Sequence, residues 1–371
     1  MIKKNAPKAA LAAVMMAMVS AVSAGQEIHV ANWNDYIDPA LIERFEKESG
    51  IKVHYQTYET GDEMDALLKS GEPLDVVVPA TDRLQELISE SLIRPFDASK
   101  IDGFYDMQPL IRSHLFTHDR TLSYAAPYFW GRVGVLLDRG KAEAALGSSI
   151  AQSWGLLFDE TAVEKLSSCG VSILEGREEI YSLIMNYKGR SLDFATERSL
   201  DVLDQALTSL KPHYAMVDSA EYREAMAAGK LCVSMAWEGD ARAMIGEHPG
   251  LEFILPDEGT LFFLDTMAIP AKSQNYESAR MFISFFMRSD VAQQNAEYTL
   301  YNTPSAKALE SMKAVAGGTQ AQSLIWEKGV QVFTYKAPRP ELERKFRDSW
   351  SRFVEKPSKL ASRPVKADVI N

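Results

Sequence analysis

The chain has 371 residues, 46% of them hydrophobic and 25% charged, which is enough to build two domains with complete cores. Its formal net charge of −11 argues against nucleic acid as a partner and suits a positively charged small ligand. Beyond the first 24 residues, no stretch is long and apolar enough to cross a membrane.

The first 24 residues have the pattern of a secretory signal peptide. A basic start is followed by an apolar run and then by small residues at the cleavage positions, namely Lys3, Lys4 and Lys8, residues 9–19, and Val22 to Ala24. We expect cleavage after about Ala24 and export to the periplasm. Cleavage would remove three lysines and no acids, so the formal charge would fall from −11 to −14.

Strand-like and helix-like segments alternate between Glu27 and about residue 92. In order, the predicted elements are a strand at Glu27–Ala31, a helix at Pro39–Ser49, a strand at Lys52–Thr57, a helix at Asp62–Ser70 and a strand at Leu74–Val78. This alternation predicts an α/β domain whose ligand crevice lies beyond the carboxyl ends of its strands. The stretches Trp33–Tyr36 and Pro79–Asp82 fall at those ends.

The rest of the chain is predicted to cross between two lobes. Tyr124–Gly131 is rich in aromatic residues and is interpreted as the first crossing. Prolines and glycines predict a return crossing within residues 241–260, and Tyr298–Pro304 would cross again. The other predicted elements are strands at Val133–Leu137 and Phe262–Pro270 and helices at Val163–Ser168, Arg177–Tyr187, Ser199–Leu210, Ala220–Ala228, Glu277–Met287 and Arg339–Val354.

This connectivity predicts a two-lobe α/β clamshell in which each lobe is a mostly parallel sheet flanked by helices. Residues 25–128 and 246–298 are expected to form lobe 1. Residues 129–245 and 299–371 are expected to form lobe 2. A ligand would bind in the cleft between the lobes and close them.

Three predicted strand ends place an aromatic residue beside an acid. They are Leu231–Asp240, with Trp237, a predicted turn at Gly239, and Asp240; Leu261–Asp265, with Phe263; and Ile28–Tyr36, with Trp33 and Asp35. Aromatic faces attract cations, and a desolvated ammonium needs a carboxylate partner. Core packing and an ordinary turn would explain any one stretch, but the three together predict a cation-binding cleft.

The two cysteines of the chain are Cys169 and Cys232. An even number of cysteines in an exported chain predicts a disulfide bond. The alternative is a catalytic thiol, which would need a histidine close in space. The sequence contains no nucleophile–base motif, metal cluster or phosphate loop, so we expect no catalytic residue, metal or cofactor.

Five motifs follow one another along the chain: Trp33-Asn34-Asp35-Tyr36, Pro127-Tyr128-Phe129-Trp130, Ser168-Cys169-Gly170-Val171-Ser172, Trp237-Glu238-Gly239-Asp240, and Asp265 before Met267-Ala268-Ile269-Pro270. Together they resemble the periplasmic polyamine-binding proteins of ABC transporters, most closely the putrescine-binding branch. The resemblance covers nearly all of the mature chain. It implies the type II fold of periplasmic binding proteins.

The resemblance also implies a set of ligand-binding residues. Asp240 and Asp265 would hold one ammonium, Asn34 and Asp35 would contact the other end of the ligand, and Glu179 would act through water. The aromatic walls of the cleft would be Trp33, Tyr36, Trp237, Phe263 and Tyr301.

The sequence departs from the family pattern at three positions. Asn34 replaces a serine or threonine, Ala80 lacks the hydroxyl that is common after Pro79, and Asp82 is an additional acid. Because Asp82 precedes Arg83-Leu84-Gln85, we favour a helix-capping role for its carboxylate. Free and directed into the cleft, it would instead hold an additional ammonium or a guanidinium.

The resemblance implies a monomeric receptor that captures a putrescine-like diamine and delivers it to the membrane permease of an ABC importer. Phe263, where the spermidine-selective branch tends to have tryptophan, implies a preference for diamines. The alternatives are a receptor for agmatine, spermidine or an amino acid, a sensory adaptor, and a thiol-dependent enzyme similar to thiamin-degrading enzymes.

Overall fold

The computed structural model describes residues 26–315, 331–335 and 339–354. The predicted signal peptide and the last residues of predicted lobe 2 lie outside this part of the chain. Within it, no helix combines the length and the apolar character that crossing a membrane requires. The strands are β1 Glu27–Trp33, β2 Lys52–Tyr58, β3 Val76–Val77, β4 Ile93–Arg94, β5 Ala125–Asp138, β6 Val171–Ile173, β7 Met216–Val217, β8 Val233–Trp237, β9 Leu251–Ile254, β10 Thr260–Pro270 and β11 Val332–Thr334.

The helices surround these strands. They are α1 Pro39–Ser49, α2 Gly61–Ser70, α3 Leu84–Ser89, α4 Pro109–His118, α5 Arg139–Leu146, α6 Gly155–Phe158, α7 Glu160–Leu166, α8 Arg177–Tyr187, α9 Glu197–Leu210, α10 Tyr222–Ala227, α11 Glu238–Glu247, α12 Tyr276–Phe286, α13 Ser289–Thr299, α14 Ala306–Val315 and α15 Glu343–Val354.

The strands pair in the order β2-β1-β3-β10-β5-β8-β6-β7, and β4, β9 and β11 pair at its centre. β1, β2 and β3 are parallel at one end, and β6, β7 and β8 are parallel at the other. β5 and β10 are long and antiparallel to each other, with Phe263 opposite Gly131. Each end is therefore an α/β unit, and the central pair joins the two units.

The protein has two hydrophobic cores, and the central strands β5 and β10 each contribute residues to both. The first contains residues from Ile28 to Trp130 and from Phe262 to Tyr301. The second contains residues from Val133 to Leu261, together with the apolar face of α15. Within β5, Trp130 packs in the first core and Val133 in the second; within β10, Leu261 packs in the second core and Phe262 in the first. Two neighbouring strands therefore run continuously from one core into the other.

The core membership differs from the lobe boundaries predicted from the sequence. Leu251 and Ile254 pack in the second core because β9 pairs with the far half of β5, although the prediction starts lobe 1 again at residue 246. Tyr301 packs in the first core, although predicted lobe 2 resumes at residue 299. We propose that the chain changes lobes at residues 131–132 and 261–262.

Local signals fix several elements where the sequence predicts them. Helix α1 begins at Pro39 because the Asp38 carboxylate accepts a hydrogen bond from the Ala40 N–H at 2.9 Å, and it ends at Gly50 with φ 73°. This start holds the loop that follows β1, which carries Tyr36. The predicted bounds of α1 and α8 agree with the structure.

Two local predictions are wrong. The predicted turn at Gly239 is the first turn of α11, which begins directly after Trp237 at Glu238. The aromatic crossing and the strand at Val133–Leu137 are one continuous strand, β5: its residues from Ala125 to Leu137 are all buried, and it pairs with β10 in its first part and with β8 and β9 in its second.

The predicted disulfide bond between Cys169 and Cys232 is present, with an S–S distance of 2.03 Å. It joins the end of α7 to the start of β8 across a sequence separation of 63. Neither cysteine is a free thiol. The thiol-dependent enzyme considered above therefore lacks its nucleophile.

Candidate functional site

A cavity of about 330 Å³ lies between the two cores, at the carboxyl ends of β1 and β8 and beside the interior of β10. Its aromatic lining comes from elements on both sides: Trp33, Tyr36, Trp237, Phe263, Tyr301, Tyr335 and Trp350. The rings pack edge to face, with centroids 5.2 Å apart for Trp237 and Phe263 and 4.6 Å apart for Tyr36 and Tyr301. The cleft therefore has rigid aromatic walls.

Two glycines allow these rings to lie close to the backbone. A Cβ atom at Gly131 would lie 2.6 Å from the Phe263 ring, and one at Gly239 would collide with the Tyr301 ring. Gly239 thus has a packing role in the first turn of α11, where the sequence alone predicted a turn.

Asp265 lies in the cavity wall on β10 and is only 5% exposed. The Tyr36 hydroxyl donates a hydrogen bond to its carboxylate at 2.7 Å. Burial raises the pKa of Asp265 to about 7; the Tyr36 hydrogen bond opposes that shift, and the nearby Asp82 charge adds to it. Such a carboxylate is stabilised strongly by a cation that enters the cavity.

Asp82 lines the same part of the cavity and does not cap a helix. Residues Thr81–Arg83 form a short 3-10 turn ahead of α3, and neither the turn nor the helix has a side-chain cap. Its Oδ1 atom is buried and has no hydrogen-bond partner among the described residues. Burial, and then the charge of Glu178, raise the pKa of Asp82 to about 7. The favoured capping interpretation is wrong.

Glu179 adds a third acid at this end, from the first turn of α8. Burial raises its pKa to about 8, followed by the charge of Glu178; the charge of Asp82 also contributes. The Tyr335 hydroxyl hydrogen-bonds to Glu179 and opposes the shift. Glu178 itself pairs with Arg177 at 2.6 Å. Asp82, Glu179 and Asp265 are referred to below as the acidic end.

Asp240 lies in a different environment, in the first turn of α11. It accepts hydrogen bonds from the hydroxyls of Tyr222 at 2.8 Å and Tyr301 at 2.9 Å, and the Arg223 guanidinium lies 3.9 Å away. Burial raises the pKa of Asp240, and Arg223 is the largest opposing influence. Part of its charge is therefore neutralised by the protein itself.

Asp35 does not line the cavity. Its carboxylate is exposed and pairs with Arg223 at 2.7 Å, which joins the loop after β1 to α10 in the second core region. In this structure Asp35 therefore forms an ion pair outside the cavity lining, and the ligand contact predicted for it stays a prediction.

The other residues predicted from the sequence all line the one cavity: Trp33, Asn34, Tyr36, Ala80, Asp82, Glu179, Trp237, Asp240, Phe263, Asp265 and Tyr301. Their roles toward a ligand stay predictions. Sequence reasoning missed Arg223 and Tyr335. Arg223 lies in a predicted helix without any distinguishing motif, and Tyr335 lies in a segment that had no predicted element.

One group of side chains among the described residues has the arrangement to hold a metal ion. The ligand atoms of Glu27, His29 and His54 lie within 4.8 Å of one another. His29 and His54 are direct partners across β1 and β2, at the end of the sheet. None of the three lines the cavity, so this group takes no part in the site described above.

A two-lobe α/β fold with a polar, aromatic-walled cavity between its cores defines a solute-binding protein. Residues 40–321 match the family described as bacterial extracellular solute-binding protein, and the chain belongs to this family. Membership confirms the predicted fold class.

Individual relatives agree with this assignment. The chain is 29% identical to the putrescine-binding periplasmic protein PotF of Escherichia coli (strain K12), over 92% of this chain and 95% of that protein. It is 30% identical to the putrescine-binding periplasmic protein SpuD of Pseudomonas aeruginosa (strain UCBPP-PA14), over 76% and 79%. A crystal structure of the spermidine/putrescine ABC transporter substrate-binding protein PotD from Streptococcus pneumoniae superposes with a TM-score of 0.70 at 26% identity, over 88% of this chain and 98% of that chain.

Proposed function

We propose that this protein captures a polyamine in the cleft between its lobes. The observation that carries the proposal is one cavity lined both by buried carboxylates, among them Asp240 and Asp265, and by aromatic side chains. A polyamine has ammonium groups separated by apolar methylene chains. Its charges require acids, and its methylenes and charges both pack favourably on aromatic faces.

Binding energy in such a site depends on the removal of water. An ion pair in water contributes little, whereas the same pair in a closed, desolvated cleft contributes much more. Asp240 belongs to the second unit and Asp265 to strand β10 beside the first, so closure brings their charges onto one ligand. The Asp35–Arg223 ion pair spans the same opening and would form as the lobes close.

We further propose that the mature protein acts in the periplasm and delivers its ligand to the permease of an ABC importer. The relatives described above, which are named as periplasmic binding proteins for putrescine or as a substrate-binding protein of an ABC transporter, support this role. Uptake of labelled putrescine by a deletion strain, with and without the restored gene, tests it. Equal uptake in both strains would contradict the importer role.

Calorimetric titration with putrescine, spermidine, agmatine, lysine and an uncharged amino acid tests the ligand class. We expect at least one polyamine to bind and the amino acids to bind weakly or not at all. Asp265→Asn should weaken the binding, whereas Asp102→Asn, an exposed acid outside this cavity, should not. Tight binding of an amino acid without any polyamine binding would overturn the proposal.

A further inference from the structure

We propose that Asp82 makes the acidic end a site for an additional positive charge, so that the protein binds a triamine more tightly than a diamine. This inference rests on the proposed polyamine function. It reverses the diamine preference that Phe263 implied, because that preference depended on a helix-capping role for Asp82.

The first step is that the acids of the acidic end have no ion-pair partner in the part of the chain that the structure describes. Among the described residues, none of Asp82, Glu179 and Asp265 forms an ion pair. The arginines that line the cavity are engaged with other carboxylates: Arg83 with Asp65 and Glu86, Arg177 with Glu178 and Glu343, and Arg223 with Asp35 and Asp240.

The second step is that Asp82 differs from the other two acids in having no side-chain hydrogen-bond donor among the described residues. Asp265 accepts a hydrogen bond from the Tyr36 hydroxyl, and Glu179 accepts one from the Tyr335 hydroxyl. The Asp82 carboxylate has only the backbone N–H groups of Asp82 and Arg83, and its buried Oδ1 has no hydrogen-bond partner among the described residues. A buried, unpaired acceptor is costly, so a donor from the ligand is strongly favoured there.

The third step is a comparison of charges. Asp240 already has a cation nearby in the protein, because the Arg223 guanidinium lies 3.9 Å from it and also pairs with Asp35 at 2.7 Å. A diamine with one ammonium near Asp240 would bring only one charge to three carboxylates. The other two would then have to bind protons or stay ionised in a buried place, and burial already raises the pKa of both Asp82 and Asp265 to about 7. A triamine would bring two charges to the same place.

Space does not oppose a longer ligand. The cavity of about 330 Å³ lies within the range of about 300–1,000 Å³ that small-molecule sites occupy. Ala80, on the turn before Asp82, has a small side chain where the family commonly has a serine, and it also lines the cavity.

The test is a paired titration of putrescine and spermidine into the whole mature protein and its Asp82→Asn variant. We expect the parent to bind spermidine at least about tenfold more tightly, a difference of about 1.4 kcal/mol. The variant should lose that advantage, because an amide carries no charge to pair with the additional ammonium of the triamine. Asp62→Asn is the matched control, because Asp62 also lines the cavity but is exposed.

Each outcome separates this inference from the proposed function. Binding of putrescine that equals or exceeds binding of spermidine in the parent overturns the inference and leaves the polyamine function intact. A spermidine advantage that survives in Asp82→Asn overturns the role of Asp82. A parent that binds no polyamine contradicts the proposed function.

The folding of the variant is controlled separately. Retained putrescine binding shows that Asp82→Asn is folded, and Asp82→Ser is the replacement variant if Asp82→Asn does not fold.

Discussion

Asp240 and Asp265 are both buried acids of the cavity, but their surroundings differ. Asp240 accepts two tyrosine hydrogen bonds and lies 3.9 Å from a guanidinium. Asp265 has one tyrosine hydrogen bond and a second acid, Asp82, close by. A ligand ammonium therefore relieves more unfavourable electrostatic free energy at Asp265 than at Asp240.

We predict that Asp265→Asn weakens putrescine binding more than Asp240→Asn does. Loss of one partner from a buried charge pair costs about 2–5 kcal/mol, and this range applies to Asp265. At Asp240, where Arg223 and two tyrosines remain, the expected loss is about 1 kcal/mol, comparable to one hydrogen bond. Calorimetry on both variants measures the difference. Equal losses, or a larger loss at Asp240, would contradict this account of the two acids.

At this scale, the sequence predicted residue types better than their partners. Aromatic residues beside acids at strand ends pointed to Trp237, Asp240, Phe263 and Asp265, and the structure brings all four to one cavity. The sequence could not predict that Asp35 pairs with Arg223, because those residues lie far apart in the chain. For Asp82, the local pattern favoured a helix-capping role, but the residue lies within a 3-10 turn that has no side-chain cap.

The elements that position the site are two long strands that pass from one core to the other. Beside them, Glu238 at the start of α11 binds Arg132 of β5 through two hydrogen bonds, at 3.0 and 2.6 Å, and it also pairs with Arg242. Asn302, after α13, donates a hydrogen bond to the same carboxylate at 3.3 Å. This buried network ties three chain segments together at the point where the lobes meet.

Local signals predicted the elements whose ends are fixed locally. Helix α1 has a capping aspartate and a terminal glycine, and its bounds follow from the sequence. Helix α11 has neither: no side chain caps it, and Gly239 near its start suggested a turn. The glycine is needed there because the Tyr301 ring packs closely against it, a contact that no local pattern reveals.

The disulfide bond between α7 and β8 is expected to stabilise the second unit substantially. Its loop has a sequence separation of 63 residues, for which the chain-entropy model gives about 4 kcal/mol. We predict that the Cys169→Ser/Cys232→Ser double variant loses about 3–4 kcal/mol of unfolding free energy in urea titrations. Reductant should destabilise the parent similarly and leave the variant unchanged. A variant within about 1 kcal/mol of the parent would contradict this prediction.

For the whole molecule, the alternation of strands and helices and the repeated crossings predicted a two-lobe α/β protein. The positions of the crossings were harder to predict, because they depend on which core a residue joins. β9 is an example: it follows a proline and a glycine that suggested a connection, yet it pairs with β5 within the second unit. Long-range pairing of this kind leaves no mark in the local sequence.

The acids of the cavity also affect the stability of the whole protein. Burial raises the pKa of Asp82 and Asp265 to about 7 and of Glu179 to about 8, so the folded, ligand-free protein holds protons that the unfolded chain has released. Where the folded state binds more protons, stability falls as pH rises. These three acids therefore cost stability as pH rises from the ordinary carboxyl range to about 8.

Buried His114 has the opposite influence at lower pH. Burial lowers the pKa of His114 from the ordinary 6.5 to about 4. Its contribution to the free energy of unfolding therefore rises as pH rises toward 6.5 and stays constant above that pH. The interval from about pH 6.5 to about pH 8 therefore isolates the acids of the cavity.

We predict that the ligand-free protein unfolds at a lower temperature at about pH 8 than at about pH 6.5, because Asp82, Asp265 and Glu179 ionise without a partner over this interval. A bound polyamine should reverse the trend, since its charges favour the ionised acids and lower their pKa values. The stabilisation by saturating spermidine should thus be larger at the higher pH. Calorimetric melting of parent and Asp82→Asn/Asp265→Asn protein measures both effects, and the variant should show a flatter dependence on pH. A ligand-free melting temperature that stays constant or rises over this interval would contradict the assignment of unpaired acids to the cavity.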